Sequence, residues 1–198
     1  MLDKAGARLG RRIVTGHDAD GHSIIASDTA PQRRQSMGPH GPHLYEIWNT
    51  RETPARIGRN NEEPPETKLT LAPPRQGTRI RVCDFEPESA VGDLDAGAAR
   101  KQFELIGGGH AFTGVGVPRH PLMHRTESID YGIVLEGEIT LILDNQETLV
   151  RAGDIVVQRG TNHAWANHGK GVCRIAFILV DGAFDDGLAD SDGLDQPS

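Results

Sequence analysis

The chain has 198 residues, enough for one domain with additional segments and a real core. Its formal net charge of −7 leaves no electrostatic footprint for nucleic acid or an anionic membrane. Apolar residues make up only 36% while Gly (24) and Pro (12) are frequent, which favours a turn-rich β protein over a helical bundle. The longest continuous apolar run, Ile175 to Val180, has six residues, far short of a bilayer span. The start, MLDKAGARLGRR, contains no apolar leader region, so a cytoplasmic location is expected. Cys83 and Cys173 sit in strand-like runs without a CxxC pattern, and buried, unbridged thiols are expected.

In chain order, residues 11–27 predict two short strands around the turn formers DADGH. Residues 28–42 and 51–68 have loop composition, and HLYEIWNT (43–50) between them predicts a strand. Arg79 to Phe85, RIRVCDF, alternates charged and apolar residues and suits a half-buried strand. Residues 93–106 predict a helix that starts near Asp95, carries Ala99, Phe103 and Leu105, and is stopped by three glycines at 107–109. From Tyr131 to Val180, six short strands joined by tight turns predict an antiparallel sandwich or barrel. The division expected is an N-terminal extension (1–75), a barrel (76–183) and an acidic flexible tail (184–198).

The chemistry concentrates in HRTESID and in the segment beginning at His163. His124, Glu127 and Asp130 lie at the front of the barrel region and His163 near its back, where a folded sheet can bring them to one pocket. Two imidazoles and a carboxylate suit a transition metal with open positions, as in Fe(II) oxygen chemistry or catalytic Zn(II). His163, Trp165 and Asn167 share a strand face, as do Leu122 and His124, and as do Asp130 and Val134. His120 is roughly 13 Å from His124 along an extended strand, too far to share one ion. The competing reading is a metal-free pocket in which Asp130 pairs with His124, Tyr131 or Thr126. Asp130 and His163 then act as an acid–base pair.

Gly153-Asp154-Ile155-Val156-Val157-Gln158-Arg159-Gly160-Thr161-Asn162-His163, ending at Asn167, resembles the second motif of the cupins. That motif is Gly-Asp, a short apolar run, Pro-x-Gly-x-x-His and then Asn. Gln158 stands here in place of Pro, and the run is one residue shorter. Asp130, the six residues YGIVLE and Gly137 resemble the end of the first cupin motif, with Asp replacing Glu. The His-x-His that opens that motif is absent, since Leu122 stands two residues before His124. The resemblance spans roughly residues 79–181.

It implies an all-β antiparallel double-stranded β-helix (a jelly roll), with N-terminal extension strands and at most one or two short helices. His124 carries over as the second histidine of the metal set, Asp130 as the carboxylate and His163 as the last histidine, with Glu127 as a substitute for Asp130. Asp130 and His163 are the catalytic candidates, and Trp165, Leu122, Val134 and Asn167 the pocket lining. The implied function is a small-molecule cupin using Fe, Mn, Ni or Zn on an oxygenated or aromatic metabolite. Dioxygenase, decarboxylase, isomerase and dehydratase chemistries are all open. The alternative is a metal-free, non-catalytic metabolite binder or sensor. A homodimer is expected, with residues 11–27 or 43–50 contributing the interface.

Overall fold

A computed structural model describes residues 10–38, 41–59, 61–64, 68–91, 94–114 and 116–189. Strands β1 (Arg12–His17) and β2 (Ser23–Thr29) form a separate two-stranded hairpin. Its turn is organised by Asp18, whose Oδ1 accepts the backbone N–H groups of Asp20 (3.0 Å) and His22 (2.9 Å). Strands β3 (Arg33–Ser36), β4 (His43–Asn49) and β5 (Thr78–Phe85) then enter one six-stranded sheet. The loop expected over 28–42 is corrected at Arg33–Ser36. That segment is polar in sequence, but its backbone pairs with β4 at the sheet edge, where no apolar face is required.

After β5 come α1 (Glu88–Val91) and α2 (Ala96–Leu105), then β6 (Ser128–Glu136), β7 (Glu138–Leu143), β8 (Glu147–Arg151), β9 (Ile155–Arg159), β10 (His163–Ala166), β11 (Cys173–Asp181) and α3 (Asp186–Ala189). The large sheet has the order β3-β4-β5-β11-β6-β9 and the smaller one β10-β7-β8, with every pairing antiparallel. The all-β expectation is met. The chain passes between the sheets at Gly137, which alone links β6 to β7 at φ +75. A Cβ there would stand 2.7 Å from the Val172 carbonyl oxygen, so the crossing requires glycine on two counts.

The core lies between the sheets, where Val134 and Ile175 of the larger meet Ile139, Leu141, Val150 and Trp165 of the smaller. Helix α2 is capped by Asp95, whose side chain accepts the Ala98 N–H at 2.8 Å. It turns Ala99, Gln102 and Phe103 inward and packs Phe103 near Phe112 and Leu122. In β5 the charged half of the alternation is the buried half: Arg79 and Arg81 are buried while Ile80 and Val82 are half-buried. A buried charge pair ties β11 to β5, with Arg174 forking onto Asp84 at 2.6 and 2.7 Å. Both cysteines are free and buried, and burial pushes each thiol up to about 12.

The tail expected from residue 184 begins docked. The Arg125 guanidinium stacks 4.0 Å from the Phe184 ring, and its Nη2 donates to the Leu188 carbonyl. Residues 190–198 of that expectation lie outside the described residues. No helix among the described residues is long and apolar enough to cross a membrane.

Candidate functional site

Strand β10 starts at His163, and His124 pairs with it from the segment before β6. Each backbone N–H donates to the other residue's carbonyl at 2.9 Å. Directly opposed residues in an antiparallel pair project from the same face, so the two imidazoles stand side by side with ring centroids 4.2 Å apart. Each Nδ1 lies 2.9 Å from the carbonyl two residues earlier, Leu122 for His124 and Thr161 for His163. A carbonyl only accepts, so both Nδ1 atoms carry the proton and both Nε2 atoms keep a lone pair. Burial reinforces this by disfavouring the imidazolium. It lowers His124 to about 4 and His163 well below its ordinary value, the latter also opposed by the neighbouring His124. Two neutral imidazoles with oriented Nε2 atoms are the form in which histidine binds a metal.

Both rings line a cavity of about 110 Å³ whose remaining walls are mostly apolar, with Leu44, Phe103, Leu122, Trp165 and Phe177 prominent. Phe103 of α2 closes on His124 at 4.9 Å between ring centroids, and Trp165 stands edge-on to His163 at 6.2 Å. Asp130 reaches the same cavity from the inner face of β6, buried, with its Oδ1 lacking a hydrogen-bond partner. Burial pushes its carboxyl up to about 6, against the opposing pull of the Ser128 hydroxyl and the Arg81 charge. An orphaned carboxylate oxygen and two imidazole lone pairs bordering one cavity match the donor chemistry of a divalent transition metal.

Of the other residues singled out from sequence, Trp165 and Leu122 line this cavity. Val134 lies in the core between the sheets. Asn167 lines a smaller neighbouring cavity and acts as a clasp, its Nδ2 donating to the carbonyls of Phe85 (2.8 Å) and Gly171 (2.9 Å). Glu127 is exposed and does not line the cavity; its Oε1 accepts the Phe184 N–H at 3.3 Å, in the docked start of the tail. His120 bonds Glu88 at 2.8 Å, apart from the His124 pair. Among the described residues, one set of three ligating side chains has donor atoms all within 4.8 Å of one another: Asp18, Asp20 and His22, on the turn of the β1–β2 hairpin.

Residues 113–180 match the family described as Cupin domain. Over 178 residues the chain is 30% identical to the cupin-domain-containing oxidoreductase fogC of Aspergillus ruber, covering 86% of this chain and 71% of the relative. The chain belongs to the cupin family. This cupin is also 31% identical over 181 residues to the phomopsin biosynthesis cluster protein D of Diaporthe leptostromiformis, covering 88% of this chain and 79% of that one. Among solved structures, the cupin domain of Schizosaccharomyces pombe Cnp3 matches with a TM-score of 0.43 at 10% identity, over 91% of this chain and 90% of that chain.

The walls contributed from outside the two motifs escaped sequence reasoning. Arg81 was the least visible, because the alternation of RIRVCDF marks two faces without saying which one turns inward. Phe103 carried a partial signal as an apolar position in an amphipathic helix, but nothing in its spacing aimed it at a histidine.

Proposed function

We propose that this cupin is a metal-dependent oxidoreductase acting on a small, largely apolar organic molecule. The observation that carries the reading is the His124–His163 pair, with both Nδ1 atoms tied to backbone carbonyls and both rings on a mostly apolar cavity. His124 and His163 hold the ion, and Asp130 is the third protein ligand or, with no ion, an acid–base group beside His163. Bound Fe, Mn, Ni or Zn supplies Lewis acidity there, and Fe or Mn also supplies redox capacity. Phe103, Leu122 and Trp165 exclude water and shape the space for the substrate. Relatives carrying the name of cupin-domain-containing oxidoreductase support the reaction class.

Elemental analysis of the purified full-length chain tests this reading. We expect stoichiometric metal in the parent and less than about a tenth of it in His163→Ala, following the penalty for losing one of few ligands. Protein that neither retains nor takes up Fe, Mn, Ni or Zn sinks the enzyme assignment. The reading then favoured is a non-catalytic metabolite binder. It draws support from the absence of His124, Asp130 and His163 from the sets of donors gathered within 4.8 Å.

We also propose a homodimer in which the β1–β2 hairpin reaches a second copy. The hairpin joins neither of the larger sheets and exposes Ile13, Ile24 and Ile25, which a partner would cover.

A further inference from the structure

Among the described residues, Arg81 is the one full positive charge on the wall of the cavity, and it is under-employed. Its side chain lies on the inner face of β5, 4% exposed, and borders the same space as His124, Asp130 and His163. One terminal nitrogen donates to the Thr70 carbonyl, which Arg79 also uses at 2.9 Å. The Nε of Arg81 is buried without a hydrogen-bond partner. Glu46 is shared between two guanidiniums, standing 3.4 Å from Arg79 and 3.9 Å from Arg81, beyond hydrogen-bond range for the latter. The cavity's own carboxylate, Asp130, has an Oδ1 that bonds to nothing. A buried guanidinium presents a fork of donors that matches a carboxylate, and leaving those donors unmade is unfavourable.

We infer that the molecule taken into this cavity is a small carboxylic acid with an apolar body, its carboxylate paired with Arg81. The apolar walls receive the body, and the volume of about 110 Å³ suits a ring of benzene size better than a long chain. This rests on the cavity being the ligand site proposed above. It does not require that a metal be bound, and it makes Arg81 the residue that sets specificity.

Trp165 lines the cavity and supplies the readout, since a Trp48→Phe background leaves it as the sole tryptophan of two. The full-length chain in that background, chelator-treated so that no metal can anchor the acid, is titrated with benzoate and with its neutral analogue benzamide. Benzoate is expected to bind at least about tenfold more tightly than benzamide. Arg81→Met should bring the ratio to about one, chiefly by weakening benzoate. Should Arg81→Met fail to fold, Arg81→Lys decides. A preference reduced by about threefold or more supports the fork, and an unchanged preference overturns it. Equal or better binding of benzamide to the parent overturns the inference, as does a benzoate preference that survives Arg81→Met. Failure of both probes to bind at about 10 mM overturns it too. Protein that neither retains nor takes up metal before chelation, yet keeps an Arg81-dependent benzoate preference, would remove the oxidoreductase reading and leave this one standing.

Discussion

His124 and His163 stay neutral because burial removes the water that would stabilise their cations, and this has a sign that can be followed with pH. In the unfolded chain His124 takes up a proton near 6.5, whereas in the fold it does so near 4. Protons therefore favour the unfolded state across that interval. The stability that neutral His124 contributes to metal-free protein is complete above 6.5 and is lost progressively toward 4. Urea midpoints of chelator-treated Asp130→Asn protein should fall through this window, and less steeply when His163→Gln is added; a flat profile would refute the burial argument. Asp130 works in the opposite direction, since its folded value of about 6 lies above its ordinary 3.8. Between 3.8 and about 6 the unfolded chain gives up this proton while the fold keeps it, so stability falls with rising pH across that interval and stays lower above it. Asp130→Asn should therefore stabilise metal-free protein at neutral pH by roughly 2–3 kcal/mol, the gain vanishing below about pH 4. The same substitution should weaken metal retention, which separates the two roles of the carboxylate.

At the scale of elements, the central strands β5 and β11 are fastened by a charge pair as well as by their ladder. Asp84→Ala leaves the Arg174 guanidinium buried without its bidentate partner, so a loss of about 3–5 kcal/mol in denaturant melts is expected. Replacing both residues with apolar ones of similar volume should recover much of that. The strands from β6 to β11 were legible in sequence because each alternates or runs apolar between turns that need glycine, as Gly137 and Gly153 do at φ +75 and +98. Arg33–Ser36 was not legible. An edge strand made only of polar residues carries no period, and its sole reason to be a strand is the backbone of β4 beside it. The histidine pair was half legible. The motif around Gly153–His163 located one ring, but what brings His124 opposite it is a cross-strand bridge between residues 39 positions apart, and no local pattern encodes that.

For the whole molecule, the hairpin and the outer face of β6 and β9 are, among the described residues, two surfaces available to the proposed dimer. Tyr131, Leu135, Ile155 and Val157 expose apolar area on that face, beside the backbone of the edge strand β9. Removing residues 10–30 deletes the hairpin while sparing β3 and β4, which belong to the main sheet. Sedimentation of that variant should show a folded monomer, somewhat under half the mass of the proposed parent dimer. A persisting dimer would move the interface from the hairpin to the β6–β9 face.

Cys83 on β5 and Cys173 on β11 sit on neighbouring central strands, both buried, with Cys83 on the cavity wall and Cys173 away from it. An alkylating reagent can therefore reach Cys173 only when those strands part, whereas Cys83 is open to the cavity. The rate of labelling at Cys173 counts openings of the barrel's centre, with no engineered probe and without disturbing either histidine.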